Sequence, residues 1–219
     1  MKHIVARTYK PLLVKYLSKT RVYHYHDLSL EIPPEVFHPG FFSSSHLLLQ
    51  NINREPLTGK RLLELGAGSG LIAMDAAKKG ATVTATDINP VAIAYLHKNT
   101  IQNNVKVEII RSDLFARIPQ QLFDIIAINP PYFKKAPQTP KEHAWYCGEK
   151  GEFFENMFRE MGPFIHPGTV ILMGLCNDCD LEMIGKYAAN NQFSMTCLCI
   201  KKNWIETNFI YQIKKIERT

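Results

Sequence analysis

The fold of this 219-residue chain is decided by residues 62–70, which read Leu62-Leu63-Glu64-Leu65-Gly66-Ala67-Gly68-Ser69-Gly70. The run from Arg61 to Leu65 predicts a short buried strand. The glycines that follow predict a tight turn, because glycine adopts backbone angles closed to other residues and leaves room for a ligand against the main chain. A helical pattern begins at Leu71. Strand, glycine turn and helix together predict the first crossover of a doubly wound parallel sheet.

Three features around the glycine turn indicate which kind of ligand it binds. Asp87 lies 21 residues after Gly66 and closes the next apolar run, where a carboxylate can accept hydrogen bonds from both hydroxyls of a ribose. A dinucleotide fingerprint has its third glycine one position later than Gly70, where this chain has Leu71. Glu64 disfavours a pyrophosphate, whereas a ligand with a cationic sulfonium and an ammonium tolerates a carboxylate. A Rossmann dehydrogenase is therefore the less favoured interpretation.

The pattern Glu64-x-Gly66-x-Gly68-x-Gly70 with Asp87 resembles the cofactor site of class I S-adenosylmethionine-dependent methyltransferases. The resemblance implies an enzyme that uses S-adenosyl-L-methionine as its cofactor and releases S-adenosyl-L-homocysteine. It also implies a Rossmann-like fold with a seven-stranded, mostly parallel sheet.

Strand and helix patterns alternate from residue 60 onward, which predicts an α/β fold with helices on both faces of a mostly parallel sheet. We expect a short N-terminal basic appendage over residues 1–35 and a methyltransferase domain over residues 36–219. Within the appendage, a helix is predicted around 9–18 and an extended, hairpin-like segment over 21–32. The other predicted helices lie near 45–53, 70–79, 90–102, 151–162 and 178–190, and the predicted strands near 60–65, 82–87, 105–110, 123–128, 168–175, 194–200 and 207–214.

The tetrapeptide Asn129-Pro130-Pro131-Tyr132 follows the strand predicted at 123–128, which places it at the same edge of the sheet as the glycine turn. A planar NH2 nitrogen is a poor nucleophile because its lone pair is delocalised. Acceptors for its two N–H bonds free the lone pair for methylation, and Asn129 Oδ1 and the Pro130 carbonyl offer two acceptors. The prolines fix the direction of that carbonyl, and Tyr132 can stack on a planar substrate. The predicted catalytic residues are Asn129, Pro130, Pro131 and Tyr132.

This tetrapeptide and the glycine turn together resemble the methyltransferases that modify planar nitrogens. These are the HemK-type glutamine methyltransferases of release factors, the adenine-N6 methyltransferases, and the guanine-N2 methyltransferases of ribosomal RNA. The segments 36–39, 44–49 and 144–152 look like the HemK-type enzymes. Phe133, directly after the tetrapeptide, looks more like the transfer-RNA adenine-N6 enzymes.

The resemblance, which covers about residues 36–200, also implies a set of cofactor-binding residues and no metal ligand. Most of them lie at or just after the ends of the first four predicted strands of the sheet, and two serines precede the first of these strands. The set is Ser44, Ser45, Glu64, Gly66, Ala67, Gly68, Gly70, Asp87, Ile88, Asn89, Asp113, Leu114 and Asn129.

The formal net charge of +6 is concentrated in residues 1–26, which hold six basic residues and no acid before Asp27. Such an arm is an electrostatic footprint for RNA or for a ribosome-associated partner. A solvated helix face explains it equally well. The chain has no run of about 18 apolar residues, so no membrane span is predicted. Its N-terminal residues lack the apolar core of a secretory signal. We therefore expect a cytoplasmic protein whose five cysteines are reduced thiols.

Two clusters of metal-ligating residue types occur in the sequence, and ordinary packing or surface exposure explains each. Cys176 and Cys179 with Cys197 and Cys199 could supply four thiolates to zinc. However, the last two lie on one predicted strand, and this fold usually inserts another strand between it and the fifth. Small buried core residues are the favoured interpretation. The histidines in the segment 24–26 are read as surface residues.

The sequence thus predicts methyl transfer from S-adenosylmethionine to a planar NH2 nitrogen. The favoured acceptor is a glutamine amide in a release factor or ribosome-associated protein. One alternative is a base amine of transfer or ribosomal RNA. Another is a cofactor-binding assembly factor without turnover, although such a scaffold has no need of the Asn129–Tyr132 turn.

Overall fold

A computed structural model describes residues 16–41, 43–203 and 206–216. The elements in these ranges alternate as the apolar patterns predict. In chain order they are β1 (Arg21–Tyr25), β2 (Leu28–Ile32), α1 (Ser43–Ile52), β3 (Arg61–Leu65), α2 (Leu71–Lys78), β4 (Thr82–Asp87), α3 (Pro90–Gln102), β5 (Val107–Arg111), β6 (Phe123–Ile128), α4 (Glu152–Met161), β7 (Ile165–Cys176), α5 (Leu181–Asn190), β8 (Phe193–Lys202) and β9 (Thr207–Lys215), with 3-10 turns at Pro39–Phe41, Glu142–Ala144 and Gly162–Phe164.

Seven of the strands form one sheet in the order β5-β4-β3-β6-β7-β9-β8. The first five strands of this order are parallel, and β9 runs antiparallel to both of its neighbours. Strand β3 lies between β4 and β6, so that Leu63 pairs with Thr84 on one side and Ile126 on the other. Helices cover both faces. The predicted Rossmann-like α/β fold is confirmed.

Two hydrophobic cores lie on opposite faces of the sheet. One packs α1, α2 and α3 against the sheet, and Leu48, Leu62 and Leu71 lie at its centre. The other packs α4 and α5 against the opposite face, with Phe154 and Phe158 fully buried. Because the central strands β3 and β6 are buried on both sides, most of their residues are apolar, and the apolar residues do not follow a strict alternation.

The extended segment of the appendage is an antiparallel hairpin of β1 and β2. Its strand β2 buries Leu28 and Leu30 in the core shared with α2 and α3. Asn99 on α3 binds the main chain of Glu31 on both sides, accepting from the N–H at 2.9 Å and donating to the carbonyl at 3.0 Å. The predicted boundary near residue 35 stays a prediction, and most of the predicted helix around 9–18 lies outside the described residues.

Two secondary-structure bounds differ from prediction for local reasons. The last cross-over helix begins at Leu181 instead of 178, because Asp180 caps it by accepting from the Met183 N–H at 2.9 Å. Strand β7 begins at Ile165 rather than 168, with a register shift against β6 near Phe123. In the described ranges, no helix combines the length and apolarity that a membrane crossing requires.

The hairpin contacts His46 on α1 and His38 in the loop before it, and burial favours the neutral form of both histidines. The Tyr23 hydroxyl lies 2.7 Å from His46 Nε2, and burial lowers the pKa of His46, helped by the charge of Lys201. Burial lowers the pKa of His38 too. A histidine with a lowered folded-state pKa takes up its proton more readily in the unfolded chain. Its contribution to stability is complete above about pH 6.5 and is lost as the pH falls from there.

We therefore expect the melting temperature of the protein to fall between pH 7 and pH 5, and His46→Gln to reduce that fall. Glutamine keeps an acceptor for Tyr23 but carries no titrating group. Scanning calorimetry at a series of pH values measures the slope. The matched control is His97→Gln, because His97 is exposed on α3. Equal slopes for both variants would contradict the assignment.

Candidate active site

A cavity of about 280 Å³ opens at the carboxyl ends of β3, β4, β5 and β6. Every residue predicted to bind the cofactor or act in catalysis lines it, except Gly70. Thus segments far apart in sequence, from Ser44 to Tyr132, converge at one edge of the sheet, as the rule for open parallel sheets requires.

The glycine turn forms one wall of this cavity. Gly66, Gly68 and Gly70 have φ angles of 73°, 51° and 77°, in the left-handed region that other residues rarely adopt. A Cβ atom at Gly66 would have no protein atom within 4 Å and would project into open space. A Cβ atom at Gly70 would instead lie 2.4 Å from Leu96. The first glycine therefore leaves space for a ligand, whereas the last leaves space for the core.

Asp87 is held at the floor of the cavity by main-chain donors. Its Oδ2 accepts from the Gly68 N–H and its Oδ1 from the Asn89 N–H, both at 2.8 Å. Asn89 in turn caps α3 by accepting from the Val91 N–H at 2.9 Å. Burial raises the pKa of Asp87, while these hydrogen bonds and nearby His143 oppose the rise. Each carboxylate oxygen keeps a lone pair for a further donor.

Glu64 is a second buried carboxyl group at the same end of the cavity. Its side chain accepts from the Ala73 N–H at 2.7 Å and Glu64 is 7% exposed. Burial, with a smaller contribution from the charge of Asp87, raises the pKa of Glu64 to about 8. Two buried acids therefore face a cavity whose glycine wall leaves room for a ligand. A cationic ligand fits this site, because it would relieve the repulsion between them.

Asp113 and Leu114 follow β5 and line the cavity. Strand β4 lies between β5 and β3, the strand that leads into the glycine turn. Leu114 has a φ of 44°, and this tight bend turns its buried side chain toward the cavity. Asp113 is exposed at the cavity rim. The pair combines an apolar surface with an adjacent acceptor, which suits a flat ring that carries an amine.

The Asn129–Tyr132 turn forms the wall next to α1. Asn129 Nδ2 donates to Ser45 Oγ over 3.2 Å, which leaves Oδ1 as the acceptor of this amide. Gly174 on β7 gives the amide its space, since a Cβ atom there would lie 3.3 Å from Asn129 Oδ1. Pro130 is buried, and the Tyr132 N–H donates to the Trp145 carbonyl over 3.2 Å. The turn is therefore fixed from both ends.

Several cavity residues were not identified as site residues from sequence. His143 and Tyr146 come from the segment 133–148, which crosses the cavity. Glu152, Phe153 and Asn156 come from one face of α4. Their i, i+1, i+4 spacing indicates one face of a helix, but the same spacing is typical of a helix that only packs on a core. Glu35, Val36 and Phe37 complete the opening.

The cysteines divide into two groups. Cys176 and Cys179 are buried, and their sulfur atoms are 3.8 Å apart. Cys197 and Cys199 lie on β8, and β9 separates that strand from β7. The intervening strand keeps the four thiols from converging, as expected from the topology.

Residues 30–146, just over half of the chain, match the family model described as the methyltransferase small domain. The chain belongs to this methyltransferase family. The prediction of an S-adenosylmethionine-dependent methyltransferase is thereby confirmed. When bound, this cofactor supplies an electrophilic methyl group attached to a sulfonium.

Three relatives of the methyltransferase have named substrates of different kinds. A candidate protein N5-glutamine methyltransferase of Methanocaldococcus jannaschii is 41% identical over 150 residues, which cover 66% of this chain and 74% of that protein. The release factor glutamine methyltransferase of Gloeobacter violaceus is 32% identical over 52% of this chain and 41% of its own length. The ribosomal RNA small subunit methyltransferase C of Haemophilus influenzae is 32% identical over 52% of this chain and 38% of its own length. The methyltransferase thus spans less than half of these two bacterial relatives.

The crystal structure of a methyltransferase from Pyrococcus furiosus has the same fold. It superposes with a TM-score of 0.67 at 21% identity and covers 97% of this chain and 100% of its own. At this level of identity, the superposition shows that the two chains share a fold.

Proposed function

We propose that the chain is a cytoplasmic N-methyltransferase that modifies the side-chain amide of a protein glutamine, in a release factor or a ribosome-associated protein. The observation that carries this proposal is the 41% identity to the archaeal candidate glutamine methyltransferase, over 74% of its length. The Asn129–Tyr132 turn at the cavity wall supports an amide acceptor.

In this proposal, different walls of the cavity bind different parts of the cofactor. Asp87 would accept from the ribose hydroxyls, Asp113 would accept from the adenine amine, and Leu114 would offer an apolar surface to the adenine ring. The glycine turn and Glu64 hold the methionine end, whose ammonium and sulfonium are the cations that the two buried acids favour. Ser44, Ser45, Ala67, Ile88 and Asn89 complete the contacts.

The substrate amide is oriented by the opposite wall. Asn129 Oδ1 and the Pro130 carbonyl accept its two N–H bonds, so that the nitrogen lone pair points toward the methyl group. Because Asn129 Nδ2 donates to Ser45 Oγ, Oδ1 is the atom that remains available to the substrate. Tyr132 stacks on the planar amide, which contributes roughly 0.5–1.5 kcal/mol. The nitrogen becomes acidic once it forms its bond to carbon, so its proton leaves without a strong base. Orientation supplies most of the rate gain.

An RNA base amine is the competing acceptor, and two observations favour it. One relative is named as a ribosomal RNA methyltransferase, and residues 1–26 are basic. Of those basic residues, Lys19 and Arg21 lie in the described ranges. Arg21 is already engaged, because it donates to the Tyr16 carbonyl over 2.8 Å and lies 3.9 Å above the Tyr16 ring.

The deciding experiment is transfer of a radiolabelled methyl group from S-adenosylmethionine into an extract that lacks this activity. The extract is digested with ribonuclease or protease before counting. Label removed by protease, in a band the size of a release factor or ribosomal protein, supports the glutamine proposal. Label removed by ribonuclease, with strong salt dependence and loss on Lys19→Glu, shows an RNA enzyme instead. The matched control is Lys106→Glu, which reverses the charge of an exposed lysine far from the arm in sequence.

Cofactor binding should release a proton from Glu64. With a pKa of about 8, this carboxyl group is mainly protonated at pH 7 in the free protein. A neighbouring cation lowers that pKa, so binding at pH 7 expels about one proton. We expect affinity to rise by up to about tenfold per pH unit below pH 8 and to level off above it.

Calorimetric titration in buffers of different ionisation enthalpy measures the number of protons released. Glu64→Gln is the control, because it keeps the size of the side chain and cannot titrate. The same proton release in wild type and Glu64→Gln would show that another group is responsible.

A further inference from the structure

A pair of cysteines lies behind the Asn129–Tyr132 turn, and the proposed reaction does not use it. Cys176 ends β7, and Cys179 follows three residues later, before α5. Their sulfur atoms are 3.8 Å apart, and the Cys176 N–H donates to Cys179 Sγ over 3.2 Å. Both thiols are free and buried. The fold therefore holds two thiols in contact beside its proposed catalytic turn.

The backbone between these thiols already has a shape that a disulfide can span. The Cys179 N–H donates to the Cys176 carbonyl over 3.1 Å. This closes a four-residue β-turn, whose end Cα atoms lie within about 7 Å, and disulfides bridge Cα separations of roughly 4.4–6.8 Å. Asn177 fixes the turn to β9, because its Oδ1 accepts from the Thr207 N–H over 2.7 Å. Rotation of the two side chains would bring the sulfurs to bonding distance.

The Tyr132 hydroxyl is the third member of this cluster. Hydrogen bonds from the Cys179 thiol, the Asp178 amide and the Tyr132 hydroxyl lower the pKa of Cys176 to about 7, against the effect of burial. Burial and the neighbouring Cys176 raise the pKa of Tyr132, so its hydroxyl remains a donor. Cys176 is thus the nucleophilic sulfur of the pair, and the partly buried Tyr132 ring packs against the core cluster that contains both cysteines.

We propose that Cys176 and Cys179 form a thiol–disulfide pair that a small hydroperoxide oxidises, and that oxidation removes the sulfur acceptor that positions Tyr132. The effect on Tyr132 rests on the proposed function, in which this ring stacks on the methyl acceptor. Formation of the disulfide does not depend on it.

The oxidation proceeds in two balanced steps. Cys176 loses its thiol proton, and the thiolate attacks one oxygen of hydrogen peroxide to form a sulfenic acid. The O–O bond breaks, and the departing hydroxide takes up the released proton to give a first water. Cys179 sulfur then attacks the sulfenic sulfur, which forms the S–S bond. Its thiol proton and the departing hydroxyl leave as a second water. Two thiols and one peroxide thus give one disulfide and two waters.

Burial decides which oxidants reach the pair. Cys176 is 2% exposed and Cys179 is 9% exposed, so a bulky disulfide oxidant is excluded while hydrogen peroxide can enter. Cys197, in contrast, is exposed on β8 and would react first with a bulky reagent. The site therefore differs in reagent selectivity from an ordinary surface thiol.

The first test counts thiols in the full-length chain before and after hydrogen peroxide, with catalase added to stop the reaction. We expect five free thiols to become three, and the peptide that carries both Cys176 and Cys179 to lose two hydrogen masses. Cys197→Ser should retain this loss, because its thiol belongs to a different surface. Five remaining thiols, or a bond that includes Cys197 or Cys199, would overturn the proposal.

The second test compares oxidised and reduced protein in methyl transfer and in cofactor binding. For wild type and Cys197→Ser we expect about tenfold slower transfer after oxidation, unchanged cofactor affinity, and recovery with dithiothreitol. Cys176→Ser should show no reversible loss, because the sulfur that peroxide attacks is absent. Tyr132→Phe should form the disulfide yet have the same activity in both states, since the hydroxyl that couples them is gone.

The outcomes separate this proposal from the proposed function. A disulfide that leaves wild-type transfer unchanged would refute the positioning of Tyr132. Reversible loss in Cys176→Ser would place the sensitive group elsewhere. A protein that forms the disulfide but methylates RNA rather than glutamine would refute only the glutamine assignment, because the thiol count is independent of the acceptor.

Discussion

Asn129→Ala should lower the rate of methyl transfer by about 10²–10³-fold, the loss typical of removing one preorganised polar group from an active site. The alanine removes the acceptor that orients the nitrogen, and the Ser45 hydroxyl loses the partner that now donates to it over 3.2 Å. The backbone of the turn should stay in place, because its main chain is held separately by Trp145. Single-turnover kinetics with labelled cofactor measures the rate.

Two variants separate this effect from a general disturbance of the turn. Ser45→Ala leaves the Asn129 acceptor present but frees its orientation, so it should reduce the rate much less than Asn129→Ala does. Asn191→Ala removes an asparagine that only caps the end of α5 and should leave the rate unchanged. Wild-type turnover by Asn129→Ala would remove this residue from the mechanism.

The sequence predicts the sheet well because its central strands are under a simple constraint. Strands β3 and β6 are buried on both faces, so most of their residues are apolar and they stand out from the amphipathic helices that follow. The spacing of the glycines after β3 and the position of Asp87 at the end of β4 then locate the cavity, because parallel strands bring their carboxyl ends to one edge of the sheet. The predicted site residues converge for this reason.

The side walls of the cavity depend on information that is not local. The segment 133–148 crosses the opening and brings His143 close to Asp87, and nothing in its composition specifies that path. Likewise, Asn99 looks like an ordinary polar residue of a helix. Its role in binding the main chain of Glu31 requires the hairpin to pack there. Such contacts are set by tertiary packing rather than by periodicity.

The same limit applies to Tyr132. The tetrapeptide predicts a ring at the cavity, and the ring is there. Its hydroxyl lies beside Cys176, 44 positions away in the sequence. Cysteine spacing alone favours small core residues, so the contact between the two motifs emerges only in the folded chain.

Alanine substitutions at three glycines should distinguish an effect on cofactor affinity from an effect on the stability of the fold. Gly66→Ala places a methyl group in the open space of the cavity, so we expect cofactor affinity to fall at least about tenfold, or ~1.4 kcal/mol. Its stability should fall by only about 1–2 kcal/mol, the cost of a left-handed conformation for a residue with a Cβ atom. Isothermal titration and chemical denaturation measure the two quantities.

Gly59→Ala is the matched control for backbone strain. Gly59 has a φ of 75°, close to the 73° of Gly66, and a Cβ atom there also meets nothing within 4 Å, but it does not line the cavity. It should therefore show the same loss of stability with unchanged affinity. Gly70→Ala should be the least stable of the three, because its Cβ atom would lie 2.4 Å from Leu96 and 2.9 Å from Met74. If Gly66→Ala bound the cofactor as tightly as Gly59→Ala does, the glycine turn would not be the surface on which the cofactor lies.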